Sequence, residues 1–292
     1  MRITNKANLP APFVRMAEDK YTITPKRYSV TTLLKPTREI LLNRRHNEEI
    51  EQDCADMIWL LFGKAVHSIL EQYSTGASEF SEEKLTVELE NGYTVSGIID
   101  LYDIDQACVV DYKTASTWKV IYKDFSDWRK QGLSYAWLLR KNGFDCKRVV
   151  FYAILKDWNR TKAKLDREYP QSPVVKVEFD ITEKELSGID KYIRDKIDEL
   201  IFYEDKPDSE LPLCSLEDRW NDGDKYAVMK KGRKTAMRVL DTQSGAEEWK
   251  ENNAGDYIEV RKGVDKKCID YCLCSTKCAY YKSLQGEVNG EE

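Results

Sequence analysis

Long apolar runs are missing from the 292 residues. The densest, Met57–Phe62, falls far short of the ~20 residues a membrane-spanning helix needs, which excludes a helical membrane protein. The opening residues Met1-Arg-Ile-Thr-Asn-Lys contain no apolar leader core. The expectation is therefore an unexported, cytoplasmic chain, in a host's cytoplasm if the source is viral. Positive charge is not in excess: 46 Lys and Arg stand against 51 Asp and Glu, a net −5. That excludes a uniformly basic surface and leaves nucleic-acid binding to local clusters. Histidine is scarce, with only His46 and His67, and no internal repeat is visible. Cysteine is not scarce. Of eight, four crowd into residues 268–278, and in an unexported chain they read as thiols or metal ligands rather than disulfides. With 41% hydrophobic residues, 17 Tyr and 7 Trp, the chain can bury a core, and its length suggests about two structural units.

Hydrophobic periodicity sets the order of elements. Residues 1–28, with prolines at 10, 12 and 25, read as irregular. Helices are expected over Val30–Arg45 and over Ile50–Tyr73, the second ending at Gly76-Ala-Ser. Lys84–Glu90 alternates apolar and polar residues, Asn91-Gly92 is a hairpin turn, and Tyr93–Asp103 is the return strand. Ala107–Lys113 is a third strand. A helix over 126–142 stops at Asn142-Gly143, followed by strands Arg148–Leu155 and Val174–Asp180 and an amphipathic helix Thr182–Tyr203. The fold class is α/β, a mixed sheet flanked by helices. Within 218–262 the pattern is ββαβ: Tyr226–Lys230, a Gly232 turn, Thr235–Asp241, Ser244–Asn252 and Tyr257–Arg261. The expected division is an irregular segment 1–28, a core 29–213, an insertion 214–267 and a Cys-rich tail 268–292, frayed after Gln285.

Chemistry concentrates at two strand ends. Asp100 closes one apolar run, and Asp111-Tyr112-Lys113 closes the next. Side chains alternate with period two, so Asp111 and Lys113 share a face. Two carboxylates suit Mg²⁺ or Mn²⁺, and an adjacent ammonium can orient water or stabilise charge on a phosphate. His67, a possible further ligand, has Glu71 one helical turn on; Gln131 and Tyr135 form a second i, i+4 pair. Each feature alone has an ordinary structural explanation: solvated strand ends, a satisfied helical histidine, an amphipathic helix.

In this order the four elements resemble the PD-(D/E)XK nuclease superfamily, and within it the RecB-like branch of phage-type exonucleases and CRISPR-adaptation nucleases. That branch has G-x-x-x-H-x-x-x-E, G-x-x-D, D-x-K and Q-x-x-x-Y elements, matched here by Gly63/His67/Glu71, Gly97/Asp100, Asp111/Lys113 and Gln131/Tyr135. The resemblance covers roughly residues 27–205. It implies a restriction-endonuclease-like core and metal-assisted phosphodiester hydrolysis. His67, Asp100, Asp111 and the Tyr112 carbonyl would hold the ion, Lys113 would activate water, Glu71 would support the metal shell, and Gln131 and Tyr135 would hold the substrate strand. Ser29-Val-Thr-Thr-Leu-Leu resembles the segment opening this branch, where Arg44-Arg45 could reach a phosphate or simply end a solvated helix.

Members of this branch often carry a [4Fe–4S] cluster, with one Cys upstream of the nuclease motifs. Here that position, near Pro36-Thr37, has none, and Cys54 reads as core. The expected ligand set is Cys214, Cys268, Cys272 and Cys278, with Cys274 a substitute, for an Fe–S cluster or alternatively Zn²⁺. Two basic clusters offer phosphate contacts. One is Lys230–Arg238, with Lys230, Lys231, Arg233 and Lys234; the other is Asn159–Arg167 beside Trp158. The function expected is a Mg²⁺- or Mn²⁺-dependent DNA exonuclease of recombination, repair or phage DNA processing, served by a recombination or annealing protein or a helicase. The rivals are a non-cleaving DNA-binding subunit of the same fold and an Fe–S redox or sensor protein.

Overall fold

A computed structural model of the chain describes residues 1–18, 23–73 and 79–288. They form two units, 1–206 and 207–292.

The first unit contains β1 (Arg2–Thr4), α1 (Ala11–Ala17), β2 (Arg27–Ser29), α2 (Val30–Leu33), α3 (Thr37–Arg45), β3 (Glu51–Asp53) and α4 (Ile58–Gln72). There follow β4 (Glu79–Glu88), β5 (Thr94–Asp103), β6 (Cys108–Ala115), α5 (Thr117–Ile121), α6 (Ser126–Lys141), β7 (Arg148–Leu155), α7 (Arg160–Leu165), β8 (Val174–Asp180) and α8 (Glu183–Glu204). The main sheet is mixed and six-stranded, in the order β2-β5-β6-β7-β8, with β4 also on β5. The Asn91-Gly92 turn forms as expected, with Gly92 at φ 77°, and β4 and β5 pair antiparallel. The α8 helix starts on a capping box, Thr182 with Glu185, and buries Leu186, Ile189, Ile193, Ile197 and Leu200 along one stripe. The α6 helix lies close against β5 because Gly97 has no side chain: a Cβ there would stand 2.6 Å from Leu138 Cδ1 and 3.3 Å from Tyr135 Cε1.

One edge of β5 is divided. The β4 strand runs along the opposite edge. On the divided edge, Thr94–Ser96 pair in parallel with β2, and Leu101–Asp103 pair antiparallel with β6. Residues 97–100 pair with neither β2 nor β6, so β5 and β6 fork just before Leu101 on β5 and just after Val110 on β6.

Several expectations need correction. The described residues of 1–28 are not irregular throughout: β1 pairs in parallel with β3, and β2 joins the main sheet. Three-residue strands such as Arg-Ile-Thr and Glu-Gln-Asp carry too little alternation to register as a pattern. The helix expected over Val30–Arg45 is two helices, divided before Pro36, whose ring removes a donor and disfavours helical geometry in the preceding residue. The α4 helix begins at Ile58, not Ile50. Ahead of it Asp53 accepts from Ala55 N–H at 3.0 Å and caps a 3₁₀ turn. No residue of α4 is fully buried despite its periodicity. The Gly76-Ala-Ser stop lies outside the described residues.

In the second unit β9 (Lys225–Met229) pairs antiparallel with β10 (Arg238–Leu240) and β11 (Tyr257–Arg261), with α9 (Gln243–Asn252) between the last two in sequence. Its buried centre is Ala227, Val228, Met229 and Ala246. A polar knot accompanies it: Asp265 pairs with Arg219 at 2.7 Å and accepts from Tyr280 Oη at 2.5 Å and Asn221 Nδ2 at 2.6 Å. The division falls at 206/207 rather than 213/214, and insertion and Cys-rich tail are one unit. The α10 helix (Ala279–Val288) continues past Gln285, the point where fraying was expected.

Candidate active site

The fork gathers the charged residues. On β6, Asp111 and Lys113 lie on one face, with Lys113 Nζ 2.6 Å from Asp111 Oδ1. Asp111 is buried, and this ion pair does not have hydrogen-bond geometry, so its Oδ1 has no hydrogen-bond donor. Across the gap, Asp100 Oδ2 accepts from Tyr112 N–H at 2.8 Å. The carboxylate thus takes a backbone donor beyond the last β5–β6 pair, where the ladder has ended. Asp100 Oδ1 lies 3.2 Å from His67 Nδ1, and the His67 ring stands edge-on to Tyr112, 6.4 Å between centroids. Helix α4 carries His67 close to β6: a Cβ on Gly63 would sit 3.8 Å from Thr114 Oγ1.

Electrostatics follows from this crowding. Burial pushes Asp111 up to about 6, against the pull of Lys113 and with the negative charge of Asp100 adding to the rise. His67 is raised chiefly by its hydrogen bond to Asp100, with burial opposing. Two carboxylates, Asp111 with a buried oxygen that accepts no hydrogen bond and Asp100, together with an imidazole are a donor set suited to a hard divalent cation. Among the described residues, no three His, Cys, Asp or Glu side chains stand in a closed metal-binding group. The donors of the fork are instead engaged with Lys113, the Tyr112 N–H and each other.

The other expected site residues divide. Gln131 Nε2 donates to Tyr135 Oη at 2.8 Å, and Tyr135 lines a recess of about 460 Å³ together with Arg27, Lys84 and Ser96. Sequence reading missed the cations of that recess because they come from two strands far apart in the chain. Glu71 is exposed. Arg44 donates to the carbonyls of Thr24 and Arg27 and covers the Tyr28 ring at 4.0 Å. Arg45 donates to the carbonyls of Tyr203 and Glu204. Both side chains hold backbone carbonyls of other segments rather than standing as a free helix end. Trp158 is likewise engaged, its Nε1–H donating to Pro170 O at 2.7 Å.

Cys54 is buried, as expected. In the second unit, burial pushes Cys214 up to about 12, with Asp218, Cys268, Cys272 and Cys278 adding to the rise. Cys272 and Cys274 Sγ are 3.5 Å apart. Lys230, Lys231, Arg233 and Lys234 are exposed on the β9–β10 connection.

Residues 75–216 match the model of the PD-(D/E)XK nuclease superfamily. This segment is a PD-(D/E)XK nuclease domain. The match includes Asp100, Asp111, Lys113, Gln131, Tyr135 and Cys214, and it begins after His67 and Glu71. No curated protein matches the chain. Among solved structures, the chain is similar to the protein designated SSO0001, with 15% identity, TM-score 0.46, and coverage of 67% of this chain and 85% of that one. It is similar to a phage-related exonuclease from Haemophilus somnus 129PT, with 17% identity, TM-score 0.31 and coverage of 48% and 69%. It is also similar to an alkaline exonuclease from Laribacter hongkongensis, with 10% identity, TM-score 0.33 and coverage of 61% and 90%.

The raised Asp111 gives the nuclease domain a pH signature in the absence of metal. An unfolded Asp titrates near about 3.9, the folded one near about 6. The folded state therefore holds this proton more tightly, and stability falls as pH rises between those values. Asp111→Asn removes that loss. The variant should be more stable than the parent above about pH 6, by on the order of 2–3 kcal/mol, with the advantage gone below about pH 4. Thermal unfolding in EDTA across this range measures it; an equal shift at every pH contradicts the assignment.

Proposed function

We propose that the chain is a divalent-metal-dependent deoxyribonuclease, an exonuclease hydrolysing phosphodiester bonds in recombination, repair or phage DNA processing. One observation carries the reading: a buried Asp111 with an orphaned oxygen beside Lys113, facing Asp100 across a forked sheet edge. Asp100, Asp111 and His67, with the Tyr112 carbonyl, would hold Mg²⁺ or Mn²⁺. When bound, such an ion polarises a phosphate and makes water a better nucleophile.

The remaining work falls to side chains. Lys113 holds its ammonium beside Asp111, where it orients the attacking water and balances charge building on the phosphate oxygens. Water oxygen bonds to phosphorus and gives up a proton to solvent as the bridging P–O bond breaks, and the leaving oxygen takes up a proton from solvent. His67 steadies the Asp100 carboxylate from α4. Gln131 and Tyr135, already hydrogen-bonded to each other, hold the substrate strand, and Glu71 would support the metal shell. In the second unit Lys230, Lys231, Arg233 and Lys234 meet DNA phosphates. Cys214, Cys268, Cys272 and Cys278 form a structural centre for an Fe–S cluster or Zn²⁺, with binding free energy that contributes to folding.

End-labelled linear DNA and covalently closed circular DNA separate the possibilities. With Mg²⁺ or Mn²⁺ the linear form should be degraded and the circle spared, and EDTA should stop the reaction. Lys113→Ala should lower the rate by at least about a hundredfold while the fold is kept. Near-parental activity in that variant, or equal attack on the circle, contradicts the reading.

The cysteine centre has its own test. A brown protein containing iron and sulfide identifies an Fe–S cluster, and a colourless one with stoichiometric zinc identifies Zn²⁺. Cys214→Ser should lower both metal content and melting temperature. Protein purified anaerobically without either metal refutes the centre.

A further inference from the structure

We propose that Trp118 and Tyr122, with the Trp59–Lys156 pair at the same end of the sheet, form a stacking platform for unpaired bases, so that the strand entering the fork is single-stranded at this point. The proposal rests on the nuclease reading and specifies its substrate. Trp118 is 56% and Tyr122 73% exposed, yet their rings are stacked, with centroids 5.6 Å apart and planes 20° from parallel. The two exposed rings therefore stand in solvent as a stacked aromatic pair. Trp59, 58% exposed, lies under Lys156 with Nζ 3.9 Å from the ring centroid.

These residues flank one end of the sheet. Lys156 N–H donates to Ala115 O at 3.0 Å, where β6 and β7 finish. Ala115 is two residues beyond Lys113 and three before Trp118. Trp59 lies one helical turn before Gly63, which approaches Thr114. The platform is held rigidly: Asp157 accepts from Ser116 Oγ at 2.9 Å, Thr117 N–H at 2.7 Å and Thr117 Oγ1 at 3.2 Å, fixing the start of α5. Every nucleobase has a π face, and flat rings with a nearby cation suit stacking together with backbone phosphate attraction. In a duplex those faces are already covered by neighbouring pairs. The favoured occupant is therefore an unpaired strand rather than a blunt duplex.

The experiment uses the full chain in EDTA, so that binding is read without cleavage. The probes are a fluorescent oligothymidylate, an abasic strand of equal length and a blunt duplex. Trp118→Ala/Tyr122→Ala should weaken oligothymidylate binding about tenfold or more. Binding of the abasic strand and the duplex should change little, and Trp118→Phe/Tyr122→Phe should restore most of the loss. Equal loss on all three probes, or no loss on oligothymidylate, overturns the platform. So does a change in sedimentation state with strand binding unaltered, which would make the surface a contact between copies of the chain. Failure of the nuclease reading looks different: the parent would bind no probe and cleave nothing with Mg²⁺.

Discussion

The hydrogen bond from Tyr112 N–H to Asp100 marks the point on which the site depends. Beyond Leu101 and Val110 the β5–β6 ladder stops, and a side-chain carboxylate takes the next backbone donor. An ordinary continuous ladder would leave no space between the strands for a cation or a phosphate. An open gap without Asp100 would leave a backbone donor to water or to nothing. The fork keeps the donor satisfied and aligns one carboxylate opposite another.

A sheet edge that places two acids in one buried space creates a conflict of charge. Lys113 relieves part of it from the same face of β6, and His67 relieves another part from α4. Asp111 still keeps an oxygen without a hydrogen-bond donor and titrates well above an ordinary carboxylate. Such residual frustration is costly in a purely structural ion pair and useful in a site awaiting a cation. The surrounding packing supports it: Gly97 admits Leu138 and Tyr135 against β5, so the forked strand is held by the helix behind it.

Much of this was legible in the sequence because its signals are local. Asp-x-Lys on a strand brings the two charges to one face by period two, and Asn91-Gly92 is a short-range signal for a turn. What escaped depends on distant segments. The β1–β3 pair joins residues far apart in the chain and too short to show a pattern, and the fork exists only because β2 and β6 share one edge of β5. Arg44 and Arg45 looked available for phosphate and are instead committed to carbonyls of other segments. A periodic stripe suggested a packed α4 helix, but none of its residues is fully buried. Trp158 looked suited to stacking, and it is Trp118 and Tyr122 that stand exposed.

The central claim is that the frustrated carboxylates at the fork bind a divalent cation. Its most direct test is a calorimetric titration of the DNA-free protein with Mn²⁺, comparing parent and Asp111→Asn. The parent should bind one ion at the fork, and the variant should lose that binding while remaining folded. Unchanged Mn²⁺ affinity in Asp111→Asn would contradict the claim.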